Sequence, residues 1–178
     1  GYSGNIAKFH PIETIIYAAE KLQSTSDIVF LFVGEGAKKY WAESYCKTHN
    51  ISNCIFKSYV DRDDLPNLLH IFDCGLVGLL NENTGFSVPS KAMGLLSAGI
   101  PILACVKPEC EINLILQSFN CGLQSSPDDR DLLAQNILSL YKNEKERKVM
   151  SENALLAVKT RFNLTHITQD YLQILSKS

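Results

Sequence analysis

The sequence holds no Cys-x-x-Cys pair, no histidine at zinc-finger spacing, no Gly-x-Gly-x-x-Gly, no Gly-x-Ser-x-Gly and no Walker loop closing on Gly-Lys-Ser or Gly-Lys-Thr. These absences remove a Cys/His zinc module, a dinucleotide fingerprint, a serine-hydrolase elbow and a P-loop nucleotidase. Histidines 10, 49, 70 and 166 show no metal-ligand spacing either. No apolar run approaches the roughly 18 residues that would span a bilayer, and no basic-then-apolar segment opens the chain. Charge of one sign is also scarce. The net value of −2 provides no global attraction for nucleic acid.

What is present is the material of one ordinary domain. The chain has 178 residues and is 46% hydrophobic and 20% charged, enough apolar mass for a packed core. Six cysteines occur, and Cys54, Cys74 and Cys105 sit in apolar, strand-like runs. They read as reduced core thiols of a cytoplasmic protein. Asn163-Leu164-Thr165 fits a glycosylation acceptor, but nothing else points to secretion. Gly1-Tyr2-Ser3-Gly4-Asn5 reads as a strand end and its turn, with no initiator Met. Residues 1–178 are therefore expected to be a single domain cut from a longer chain.

Apolar runs alternate with amphipathic stretches. Ile28 to Val33 is continuous and β-branched or aromatic, and it ends at Gly34-Glu35-Gly36. That is the signature of a strand buried on both faces of a parallel sheet. Similar runs cover residues 54–56, 74–80, 101–105 and 121–123. Ile12, Ile15, Ile16, Ala19 and Leu22 form one helical stripe behind Pro11. Further helices are expected over about 36–48, 63–70, 87–98, 128–142, 145–160 and 164–176. Ser87 is the expected cap of the fourth, and Gly99 with Pro101 its stop. Ile167, Tyr171, Ile174 and Leu175 share one side of the last helix. That side has either this sheet or a further domain to pack against. The alternation predicts an α/β fold, a Rossmann-like parallel sheet with helices on both faces.

In such sheets ligands sit beyond the C-terminal ends of the strands. Three loops reach that edge. Gly4-Asn5-Ile6-Ala7-Lys8 combines a tight turn with a cation, which suits a phosphate. Ser87-Val88-Pro89-Ser90-Lys91 opens a helix with two hydroxyls and a lysine. A lysine there opposes the helix dipole, so it calls for an anion. Ser58-Tyr59-Val60 follows a strand, and its tyrosine can stack on a base or cover the sheet edge. Asp61, Arg62, Asp63 and Asp64 read as a solvated turn and helix cap. No self-contained catalytic group of residues is visible.

Taken in order, these residues resemble a known family. Tyr2-Ser3-Gly4-Asn5-Ile6-Ala7-Lys8 with Ile12-Glu13, Phe32-Val33-Gly34-Glu35-Gly36, Val88-Pro89-Ser90-Lys91 and Ser97-Ala98-Gly99-Ile100-Pro101-Ile102 are similar to the C-terminal domain of family-four glycosyltransferases. The branch building bacterial O-antigen and capsule is the most similar. The resemblance implies the donor-binding half of a two-domain GT-B enzyme. Gly4, Asn5, Lys8, Ser87, Val88, Ser90 and Lys91 would then face the diphosphate of a nucleotide sugar, expected to be UDP-linked, and Tyr59 and Val60 the nucleobase. It also implies no metal or other cofactor, a glycan or lipid-linked acceptor, no nucleic-acid partner, and a general base supplied by a domain outside this chain. The 178 residues alone would then bind donor without transferring sugar. Two positions depart from the pattern: Gly94 stands where the wider family carries the glutamate that holds the ribose, and Pro11 where glycine is common. A UDP-sugar 2-epimerase of the same fold and a receiver-like α/β binding module are the alternatives. The first needs carboxylates and a histidine around the sugar. The second needs a phosphorylatable aspartate at a strand end, and Asp73 stands near a strand start.

Overall fold

The computed structural model describes residues 1–80 and 90–176. Six strands run through it: β1 (Tyr2–Ser3), β2 (Phe30–Val33), β3 (Cys54–Lys57), β4 (Gly75–Gly78), β5 (Ile102–Cys105) and β6 (Gly122–Ser125). Eight helices accompany them: α1 (Ile12–Lys21), α2 (Lys39–Thr48), α3 (Leu65–Leu69), α4 (Lys91–Ser97), α5 (Glu111–Phe119), α6 (Arg130–Lys142), α7 (Glu144–Thr160) and α8 (Leu164–Leu175).

Every ladder is parallel. β1, β2 and β3 form one sheet and β4, β5 and β6 another. The two meet at a seam, where the Gly1 nitrogen donates to Cys74 O and Leu76 N donates to Gly1 O, both at 2.7 Å. The order across the seam is therefore β3-β2-β1-β4-β5-β6. Connections leave the seam in opposite directions, which makes it the switch point of a Rossmann-like fold.

The strands are covered on both faces, so their side chains alternate between two cores. Phe30, Phe32, Leu76 and Leu103 point toward α1, α2 and α6. Val33, Val77, Ile102 and Ala104 point toward α3, α4, α5 and α7. The expected α1 stripe is the first core's centre, with Ile12, Ile15, Ile16 and Ala19 fully enclosed. Each such isoleucine contributes about 1.5–3 kcal/mol by burial. Asp129, Asn143 and Asn163 cap α6, α7 and α8 by accepting from Leu132 N, Glu146 N and His166 N, which replaces orphan helix donors' lost partners.

Differences from the sequence reading are local. Residues 62–64 form a 3-10 turn ahead of α3. The described part of the fourth helix begins at Lys91 behind Ser90; Ser87, Val88 and Pro89 lie outside the described residues. α5 has no counterpart in the expectations, although Ile112, Ile115 and Leu116 bury one face of it. The apolar side of α8 does not pack on this sheet: Tyr171 is 66% and Ile174 64% exposed.

Candidate functional site at the sheet seam

The loops after β1 and β2 are laid on each other backbone to backbone. Gly4 N donates to Val33 O at 2.9 Å and Ile6 N to Glu35 O at 2.8 Å. A Cβ on Gly34 would lie 2.0 Å from Gly4 O, and Gly34 has φ +149°. Only glycine fits both the conformation and the approach. This explains why β2 ends in Gly34-Glu35-Gly36: the pair of glycines seats the Gly4 turn. Across the seam, Pro11 packs on Gly78, where a Cβ would meet the proline ring at 2.6 Å. The departure at Pro11 is thus matched by a bare glycine at the end of β4.

These turns frame a cavity of about 690 Å³ at the C-terminal edge of the sheet, a size suited to a nucleotide-sized ligand. Of the residues singled out from the sequence, Gly4, Asn5, Tyr59, Val60, Ser90 and Lys91 line it. Lys8 is exposed and is not among the lining residues. Tyr59 is half exposed and stands against Gly34, 3.3 Å from that glycine's Cβ position. The lining also includes Gly94, the expected ribose position, and His10, Arg62, Leu65 and Leu69, which sequence reading did not assign to the site. At Gly94, a Cβ would have only Leu69 Cδ1 near it among the described residues, at 3.8 Å. The wall at this position is open among the described residues.

No aspartate or glutamate lines the cavity among the described residues, whereas Lys91 and Arg62 do. The neighbouring carboxylates are committed elsewhere. Glu13 pairs with Lys38 and Glu35 with Lys39, each at 2.7 Å. Lys91 Nζ is buried and has no hydrogen-bond partner among the described residues. It lies 3.8 Å above the Tyr2 ring and 3.5 Å from the Cβ position of Gly4. Burial pushes its ammonium down to a pKa of about 8. An unpaired buried cation costs free energy that an arriving anion restores.

His10 is 6% exposed, and its Nδ1 donates to Gly78 O at 2.6 Å. The carbonyl can only accept, so that nitrogen carries the proton. Burial, then the charge of Lys91, pushes the imidazole down to about 4. It stands neutral at physiological pH. No group of three or more His, Cys, Asp or Glu able to hold a metal ion occurs among the described residues. No described helix is long and apolar enough to cross a membrane.

Comparison with known proteins supplies the family and the fold. Residues 1–156 match the family model of glycosyl transferases group 1. The chain is 29% identical over 118 residues to a putative colanic acid biosynthesis glycosyl transferase, WcaI, of Escherichia coli, covering 66% of this chain and 29% of that protein. It is 30% identical over 148 residues to chitobiosyldiphosphodolichol beta-mannosyltransferase of Eremothecium gossypii, covering 82% of this chain and 30% of that one. The chain thus spans about a third of the length of the curated relatives it matches. Its backbone superposes on a mutant of S. aureus TarM, crystallised with fondaparinux, alpha-GlcNAc-glycerol and UDP, with a TM-score of 0.77 at 15% identity. That match covers 97% of this chain and 34% of TarM. The match over residues 1–156 shows that the chain belongs to the glycosyl transferases group 1 family.

Proposed function

We propose that this chain is the donor-binding half of a GT-B glycosyltransferase, holding a nucleoside diphosphate sugar, expected to be UDP-linked. The sugar goes to a glycan or lipid-linked acceptor in surface polysaccharide synthesis. The observation that carries the reading is Lys91: a buried ammonium without a counter-ion, aimed into a cavity whose described lining holds no carboxylate. A diphosphate supplies the absent charge. The Asn5 amide and the Ser90 hydroxyl stand around the same space beside the Gly4 turn and can donate to phosphate oxygens.

The chemistry follows from that placement. Cleaving a glycosyl–phosphate bond builds negative charge on the leaving diphosphate. A fixed cation in a desolvated site stabilises that charge more than it stabilises the ground state. Tyr59 and Val60 offer an apolar and aromatic edge for the base, and the room at Gly94 admits the ribose without a carboxylate contact. The crystallised TarM complex includes UDP, and WcaI is a colanic acid enzyme by name; both support a nucleotide-sugar substrate and a polysaccharide product.

The test is a thermal scan of the 178-residue chain against UDP, GDP, ADP and free sugars. UDP is expected to raise the melting midpoint most, and Lys91→Ala to abolish most of that rise. A shift that persists in Lys91→Ala removes the lysine from the site, and no shift with any nucleotide removes the donor reading.

A further inference from the structure

Tyr2 is fully enclosed, and three contacts hold its ring in place. Its hydroxyl donates to Asn5 O at 2.7 Å. Phe32 packs against it at 5.9 Å between ring centroids, tilted, and His10 meets it edge-on at 6.1 Å. The remaining contact is Lys91, whose Nζ stands 3.8 Å over the ring centroid. Among the described residues no carboxylate pairs with this ammonium, and it has no hydrogen bond. The π-face is then the principal electrostatic partner of a desolvated cation.

We propose that Tyr2 is a positioning residue for the donor site: its ring face stands in for the absent anion, keeping Lys91 charged and aimed at the Gly4 turn until a diphosphate arrives. The inference rests on the donor-site reading and adds a residue to it. Tyr2 itself touches no ligand in this scheme; it acts through Lys91. The ring is locked because its hydroxyl and its edges are fixed by Asn5, Phe32 and His10, so the ammonium sits over a surface that does not move away. A flexible lysine in the same place would have to be both ordered and recharged by the ligand, at a cost in affinity.

Charge and position make different predictions. Without the ring, Lys91 loses its stabilising partner, and its ammonium deprotonates at lower pH. Among the described residues the groups facing it are His10, neutral and beside Tyr2, and the Gly4 backbone, with Arg62 and Tyr59 on the same cavity wall; Lys38 lies behind His10, bonded to His10 O and Glu13. None of these described groups supplies a compensating negative charge.

The experiment is calorimetric titration of UDP into the 178-residue chain from about pH 6 to about pH 9.5, for wild type, Tyr2→Phe, Tyr2→Leu and Lys91→Met. In wild type, affinity is expected to fall as pH rises through about 8, where the free ammonium loses its proton. Tyr2→Phe keeps the ring and should keep that profile. Tyr2→Leu should bind roughly tenfold more weakly near pH 8 and move the fall at least about one unit toward acid. Lys91→Met should bind weakly with no such fall. If Tyr2→Leu does not fold, a fluorinated phenylalanine at position 2 preserves volume while draining the π-face, and affinity should drop with each added fluorine. An unchanged pH profile in Tyr2→Leu, a uniform loss at every pH, or no response to fluorination overturns the proposal. If wild type binds no UDP at any pH, the donor-site reading itself fails.

Discussion

Two cavities of similar size lie at opposite edges of the sheet, about 690 Å³ at the C-terminal edge and about 550 Å³ at the N-terminal edge. The second is lined by Asp27, Asp73 and Arg147 among apolar side chains. Two of these polar groups are already engaged: Tyr141 donates to Asp27 at 2.9 Å, and Arg147 donates to Leu140 O and Tyr141 O. The first holds Lys91, whose charge is unmet. Volume therefore does not distinguish the two. What does is a buried ammonium without a hydrogen-bond partner, Lys91, which lines the C-terminal cavity and not the other. That edge is also where parallel strands aim their following loops.

Four measurements can break or sharpen this contrast. The largest effect is expected at Gly34→Val. Its side chain would strike Gly4 O in a backbone region closed to branched residues, so stability should fall by about 3 kcal/mol or more on denaturant titration. A mild effect there would mean that the two turns are not rigidly stacked. Next is acid. His10 has a folded pKa of about 4 against an ordinary 6.5, so the unfolded chain binds the extra proton first. Stability should be full above about pH 6.5 and decline toward pH 4, by at most about 3 kcal/mol. His10→Gln, which can still donate to Gly78 O, should flatten that slope in urea titrations across the same range. Third, Tyr141→Phe in the opposite cavity should cost about 0.5–1.5 kcal/mol at most and leave the UDP-induced thermal shift unchanged. A lost shift would make the two cavities communicate. The smallest effect is expected at Lys8→Ala. Its side chain is exposed and outside the lining, so UDP affinity should change by less than about threefold, the scale of an exposed charge contact.

The architecture was largely legible in the sequence because burial on both faces writes parallel strands as unbroken apolar runs. Phe30 to Val33 and Ile102 to Cys105 are such runs. α5 escaped although Ile112, Ile115 and Leu116 carry the i, i+3, i+4 signal, because the stripe is short and lies between two strand-like runs. The loops of the site were visible through glycine and lysine. The parts that needed space were not. Tyr2 and Lys91 are neighbours only because β1 and β4 meet at the seam. His10 is recruited through a carbonyl at the end of β4, and no local pattern announces that. The α8 stripe was legible as amphipathic, but periodicity names a face and not what it packs on.

The contact between Pro11 and Gly78 carries a consequence for the history of the sequence. The proline ring occupies the place where any side chain on residue 78 would begin. The two positions are therefore not free to drift separately: a residue larger than glycine at 78 is tolerable only after the ring at 11 has gone. A relative that carries glycine at the position of Pro11 could accept alanine at the position of Gly78 at little cost, while the same change here would push α1 away from β4. The order in which substitutions accumulate at this seam is thus dictated by geometry, and swapping residue 78 alone from such a relative should fail where swapping the pair succeeds.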